Sequence, residues 1–443
     1  MSLPAALPKA TARPWKRAAL WLSFLAPFFY LTYGTANWLA SIRPHVGSIV
    51  FGWERHIPFL AWTIIPYWSI NAFYGLSLFV CGSVRELDTL GRRLLTAQVV
   101  AVTCFILFPL RISFDKPDTA GGLSGFLFDT LAGFDKPYNQ APSLHIALLV
   151  VLWQFYARHV PRWALNALHF WFLLIGASVL TTYQHHFFDI PTGALLGLVC
   201  LWLWPDHGDG MIGIMKLSAD PTRPKLAILY AAGGTGLAAL GLLIGGIALW
   251  LIYPAISLWL VAANYMLFDA AGFQKSANGA ISLALKLLFA PYMTGAWINS
   301  RIWTRRDPHS SPIDANVFLG RIPSHSDSSE RNFFSIVDLS AELPSAELAA
   351  EVLAFPMLDL VTPPAELLRA ASDEIEKSQR RGPVLVCCAL GYSRSAAATA
   401  TWLVRSGRAG SVDVAVATIA RARPRIVLSA EARAAIAEAA KTP

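Results

Sequence analysis

The chain has 443 residues, 55% hydrophobic and 14% charged, with a mean hydropathy of +0.47, which excludes a wholly water-borne enzyme and puts most of the chain in lipid. The net charge of +8 does not mark a nucleic-acid binder. Lys and Arg cluster where apolar runs end, the positions that anchor and orient membrane spans, so no nucleic-acid partner is expected.

Residues 1–17 carry Lys9, Arg13, Lys16 and Arg17 ahead of an apolar stretch with no well-placed cleavage site, which predicts a cytoplasmic segment and an uncleaved first span. Apolar runs then predict spans at 18–40, 57–81, 95–112, 143–158, 162–181, 188–204, 226–252 and 254–273. A ninth run, 280–299, holds Lys286 and Pro291 and is followed by Arg301, Arg305 and Arg306, which predicts an interfacial or re-entrant helix. With the N-terminus inside, the loops holding Arg85, Arg92 and Arg93, then Arg158 and Arg162, then Lys216, Arg223 and Lys225 all fall on the cytoplasmic side. Eight spans return the tail there. Of the five cysteines, three lie in apolar runs and two are adjacent, so reduced thiols are expected.

From Ile313 the pattern changes. Short β-type runs at 315–322, 334–339 and 354–359 precede a charged helix at 364–380, a buried strand at 384–388 and a small-residue helix at 393–404. The predicted architecture is a multi-span α-helical membrane bundle followed by a soluble α/β domain. Its segments are 1–17, a membrane domain at 18–205, further transmembrane or interfacial helices and linker at 206–300, and the α/β domain at 312–443. The whole is expected to be integral to a bacterial inner or cell membrane.

The apolar strand Val384-Leu385-Val386-Cys387-Cys388 runs into Ala389-Leu390-Gly391-Tyr392-Ser393, and Arg394-Ser395 open a helix. Cysteine and arginine separated by five residues is a weak signal alone. The strand before, the Gly391 turn and the helix after make it a phosphate cradle, in which loop amides and a helix N-terminus aim N–H groups at a dianion. The same field favours a thiolate at Cys388, while Arg394 would grip two phosphate oxygens and Ser395 would help the sulfur leave. A leaving alcohol needs an acid. Asp359, in the Pro-rich loop Leu358-Asp359-Leu360-Val361-Thr362-Pro363-Pro364, is the candidate, and Asp338, nearer mid-strand, reads as structural.

This tail resembles the dual-specificity phosphatases of the protein tyrosine phosphatase superfamily over residues 312–440. The resemblance includes the cysteine loop, Asp359 and the Arg423-Pro424-Arg425-Ile426 stretch. It departs at Cys387, where the family usually has histidine. The resemblance implies a cysteine-phosphatase fold and phosphate-ester hydrolysis. The Pro-rich acid loop looks more like the lipid-directed, mitochondrial-type members.

Within the membrane domain, ionisable residues at membrane depth read as functional. Pro142-Ser143-Leu144-His145 and Gln184-His185-His186-Phe187-Phe188-Asp189 each open a predicted span, so both lie at one face. Asp189 stands four residues after His185, which on a helix would fix the imidazole tautomer and suit a histidine nucleophile. His145 could protonate the leaving oxygen, and Arg111 and Lys116 could clamp phosphate.

These three segments resemble the type-2 phosphatidic acid phosphatase superfamily across residues 95–205, as Arg111…Lys116-Pro117, Pro142-Ser143…His145 and His185…Asp189. Lys116 stands where arginine is usual, and Ser178-Val179 where Ser-Arg is usual, a pattern more like the sphingomyelin and inositol-phosphoceramide synthase branch. The resemblance leaves hydrolase and transferase both open. The expected function is removal of phosphate from membrane lipids at two sites, with lipid phosphates and the bilayer as partners. Lipid head-group transfer coupled to a phosphatase and a membrane-anchored protein tyrosine phosphatase are the alternatives. No metal or cofactor is expected, because neither cluster has ligand spacing. The oligomeric state is not legible.

Overall fold

The computed structural model describes residues 13–119, 121–324, 326–327, 332–345 and 350–441; Lys9 lies outside them. The chain divides into two compact units, one up to Gly213 and one from Ile214.

The first unit is helical: α1 (Trp15–Ser41), α2 (Ile64–Val80), α3 (Val84–Leu107), α4 (Gly122–Phe134), α5 (Leu144–His159), α6 (Leu165–Thr181) and α7 (Asp189–Leu203). Ser83 caps α3 by accepting the Glu86 N–H, and Ser143 caps α5 by accepting that of Ile146. α7 packs closely on α5 because Gly193 has no side chain: a Cβ there would lie 2.4 Å from the Ser143 carbonyl oxygen. That approach brings the segment before α7 against the start of α5.

The second unit begins with an apolar hairpin. α8 (Thr222–Ile244) and α9 (Ile252–Ala263) are joined at Gly245 and Gly246, both at positive φ, and a single π turn, Asn264–Phe268, ends the return leg. Arg223, at the start of α8, donates to the Tyr265 carbonyl at 2.9 Å and pairs with Asp269 at 3.0 Å, closing the hairpin base. Leu242, Leu243, Ile244 and Ile247 at the turn are exposed, an apolar surface with no partner among the described residues of this unit.

Four helical stretches among the described residues are long and apolar enough to cross a membrane: Val84–Leu107, Arg162–Thr181, Thr222–Ile244 and Gly246–Phe273. The sequence predicts eight spans. Those expected at 57–81, 143–158 and 188–204 fold as helices of 17, 16 and 15 residues, about 23–26 Å long against a hydrocarbon core of about 30 Å. α1 has the length, but Thr32, Tyr33, Gly34, Thr35 and Asn37 dilute its apolar run. The last two predicted spans break at Gly245–Gly246 rather than near 253, where left-handed backbone favours glycine. The 280–299 run divides into α10 (Leu283–Leu288) and α11 (Ala290–Thr304), neither of spanning length.

A five-stranded sheet follows, from β1 (Ser310–Pro312), β2 (Val317–Arg321), β3 (Ser335–Ser340), β4 (Glu351–Met357) and β5 (Val384–Cys388), in the order β1-β2-β5-β3-β4. β1 is antiparallel and the rest are parallel. β5 is central and buried on both faces, which its Val-Leu-Val run suits. Helices α12 (Ala365–Gln379), α13 (Arg394–Arg405), α14 (Val412–Ala422) and α15 (Ala430–Ala440) complete the domain. The small residues of α13 pack into one core with Val337, Val386, Leu368 and Trp402.

Candidate active sites

Cys388 ends β5, the point at which open α/β sheets present their ligand sites. The following loop turns at Gly391, at φ 78°; a Cβ there would meet the Gly320 carbonyl oxygen at 2.4 Å, so both conformation and space demand glycine. The turn aims the Gly391 N–H at the Cys388 sulfur, 3.3 Å away, and the Ser395 hydroxyl lies 3.2 Å from it on the other side. Arg423 fastens the loop by donating to the Leu390 carbonyl at 3.1 Å. Cys387, one residue earlier, faces the opposite side of the strand among Phe318, Ile336 and Leu385, and burial pushes its thiol well above the ordinary range.

Arg394 opens α13 and is buried. Its guanidinium makes two 2.8 Å bonds to the Glu342 carboxylate, donates to the Met357 carbonyl at 2.9 Å and pairs with Asp359 at 3.2 Å. Burial opposes its charge, but Asp359 and Glu342 outweigh that and hold its pKa well above the ordinary value. Burial likewise opposes the Glu342 charge, and Arg394 wins, leaving Glu342 below the usual carboxylate range. Asp359 follows β4 and keeps a partly exposed carboxylate, so one face of the arginine is tied to protein while Asp359 guards the other. Asp338 is fully buried against Lys275, which removes it from consideration as the acid.

The sequence reading misses Glu342 and Lys275. Glu342 looks like one turn acid among several in Ala341-Glu342-Leu343-Pro344. The one available signal is that an arginine opening a helix straight after a buried strand requires an opposite charge to hold it.

In the first unit, His185 Nδ1 lies 3.1 Å from Asp189 and Nε2 lies 3.1 Å from the Ser143 hydroxyl. The four-residue spacing works through the turn before α7 rather than through a helix, since α7 begins at Asp189. The same carboxylate accepts the His186 N–H at 3.0 Å. His145, on the first turn of α5, stacks on Tyr67 with ring centroids 4.2 Å apart and shares a cavity with His185. A second, polar cavity of about 360 Å³ is lined by Arg111, Lys116, Asp135, Gln140 and His185 among others. Thus His145, His185, Asp189, Ser143, Arg111 and Lys116 converge. Ser143 lies against the imidazole at 3.1 Å, which gives it a positioning contact. Asp135, bonded by the Tyr33 hydroxyl at 2.8 Å, lines both cavities and was not anticipated. His186 is held by Glu54 and Ser113 and is structural.

A thiol at a strand end, an amide-rich turn and a helix-opening arginine braced by carboxylate can bind a phosphate ester and displace its alcohol through sulfur, the working set of a cysteine-dependent phosphatase. Residues 317–442 match the family described as dual specificity phosphatase, catalytic domain. The C-terminal part of the chain is thus a dual-specificity-type phosphatase domain, of a class that hydrolyses phosphate esters. None of the curated proteins gives a significant match. Among solved structures the chain is similar to Tk-PTP in its active form, 27% identical, covering 31% of this chain and 99% of that one at a TM-score of 0.28. It is also similar to PTPMT1 in complex with PI(5)P, 22% identical over 30% and 95% at 0.27, and to human DUSP28, 21% identical over 30% and 94% at 0.27.

Proposed function

We propose that the protein is an integral membrane phosphatase that removes phosphate from lipids at its cysteine site. The carrying observation is the contact between the apolar hairpin and the acid loop: Tyr265, at the end of the Gly246–Phe273 stretch, donates its hydroxyl to the Asp359 carbonyl at 3.0 Å. α11 reaches the other side of the site, where Ser300 donates to the Ala389 carbonyl and Arg301 to that of Ile322 at 3.0 Å. A catalytic loop tied to the base of a membrane-length hairpin is suited to a phosphate carried at a bilayer surface.

In this reading the Cys388 thiolate attacks phosphorus, Arg394 holds two non-bridging oxygens, and Asp359 gives its proton to the departing alkoxide. Water, deprotonated by the Asp359 carboxylate, then attacks the phosphocysteine, and the Ser395 hydroxyl stabilises the departing thiolate. Atoms balance: one ester and one water give an alcohol and inorganic phosphate.

The histidine cluster supports a second phosphoryl site. There His185 Nε2 is the nucleophile, Asp189 holds Nδ1–H, His145 protonates the leaving oxygen, and Arg111 and Lys116 draw phosphate into the polar cavity. Head-group transfer is the second reading of this site, because Asp135 puts a carboxylate beside His185 where an acceptor hydroxyl could give up its proton. Liposomes of phosphatidate with wild type, C388S, H185A and the double variant separate these: phosphate release that survives unchanged in the double variant would sink both sites.

A further inference from the structure

The buried lysine at position 275 lies outside the residues that match the phosphatase family. It follows the apolar stretch that ends at Phe273, in a segment that docks on the sheet domain: the Ala354 N–H donates to the Ala277 carbonyl at 2.8 Å and the Ser345 N–H to that of Gly279 at 3.0 Å. Its side chain and that of Asp338 are both fully buried. The ammonium donates to the Asp338 carboxylate, to the Ser340 carbonyl at 2.8 Å and hydroxyl at 3.3 Å, and to the Leu343 carbonyl at 2.6 Å. Asp338 in turn accepts the Ser340 N–H at 2.8 Å and hydroxyl at 2.7 Å.

These bonds share one target. Ser340 and Leu343 bracket Glu342, whose carboxylate supplies both 2.8 Å bonds to Arg394. The turn after β3 has no regular ladder to fix it, and a carbonyl on each side of Glu342 points at the same cation. An ammonium whose three donors are all taken up by oxygens holds that turn as a metal ion would, through convergent oxygens.

We infer that Lys275 is a positioning residue for the cysteine site: it sets the turn that carries Glu342, and through Glu342 the orientation of the phosphate-gripping Arg394. The inference rests on the cysteine-phosphatase reading of Cys388 but not on a lipid substrate. The support of the cysteine site therefore includes a residue contributed by the segment that leaves the hairpin.

The test uses the full chain purified in detergent, p-nitrophenyl phosphate as substrate and vanadate as a transition-state probe. K275M is expected to lower kcat about 30-fold and to weaken vanadate inhibition by a similar factor. In an E342Q background the same change is expected to cost less than about threefold, because the route to Arg394 is already cut. D338N/K275M removes the unpaired buried carboxylate and keeps the fold intact; its melting temperature is expected to recover while kcat stays low. Effects of K275M and E342Q that multiply, or a D338N/K275M protein that regains kcat with stability, would overturn the inference. Activity surviving in C388S would instead overturn the cysteine reading beneath it.

Discussion

Around Cys388 ion pairs close most of the polar groups: Arg394 is bound on both sides by carboxylates and a carbonyl, Glu342 is sealed behind it, and the Nε of Arg394 is buried with no protein partner among the described residues. Around His185 the unpaired groups are amide oxygens and an imidazole nitrogen instead. Asn139 Oδ1, Gln140 Oε1 and His145 Nε2 are buried with no protein partner among the described residues, and the imidazole borders two cavities. Closed charge pairs fix geometry in advance, whereas unpaired buried groups leave hydrogen bonds for a ligand to complete. In the proposed reading the first arrangement takes one phosphate in one orientation, and the second a larger polar head group whose own atoms finish the site.

The sharpest way to break this comparison is C388S, expected to lower hydrolysis of a soluble aryl phosphate at least about 10⁴-fold, since the covalent route is lost. Soluble-substrate turnover near the wild-type rate would transfer the chemistry to the histidine cluster. Next, H185A placed on C388S is expected to reduce the remaining release of phosphate from lipid about 10³-fold, read with radiolabelled phosphatidate in liposomes. D359N is expected to cost about 10²-fold on alkyl phosphates and far less on aryl phosphates, whose leaving groups need no proton; equal losses on both would remove Asp359 from the role of acid.

The Glu342–Arg394 pair gives a pH prediction with a definite sign. Because the folded-state pKa of Glu342 lies below its ordinary value of 4.5, the pair stabilises fully above that value, and the contribution fades as pH falls through the lower, folded one. The melting-temperature gap between wild type and E342Q should therefore be constant from pH 6 to 8 and narrow in acid. The smallest effect is Y265F, which loses one hydrogen bond to the acid loop and should destabilise by about 1 kcal/mol, seen as a small drop in melting temperature.

What was legible in the sequence was local. Cys388, Gly391, Arg394 and Ser395 lie within eight positions, and a strand–turn–helix brings them together with no help from elsewhere. His185 and Asp189 were legible for the same reason, although a turn rather than a helix joins them. Glu342 is 52 residues from Arg394 and Lys275 is 63 from Asp338. Such pairs are set by the parallel order β5-β3 and by the docked segment before α10, neither of which leaves a periodic trace. The spans are a related case: apolar composition marks helices where eight spans are expected, and four of these stretches are long and apolar enough to cross a membrane, while the ends of α2, α5 and α7 are fixed by breaks and caps that hydropathy does not weigh.

The position of Lys275 also sets an order of events during synthesis. Residue 275 leaves the ribosome before any strand of the sheet, so its ammonium is already tethered at the base of the hairpin when β3 emerges and Asp338 is drawn out of water. The nascent chain thus carries the counter-ion for its own core ahead of the charge that needs it. A chain begun at residue 317 would have to bury that carboxylate alone.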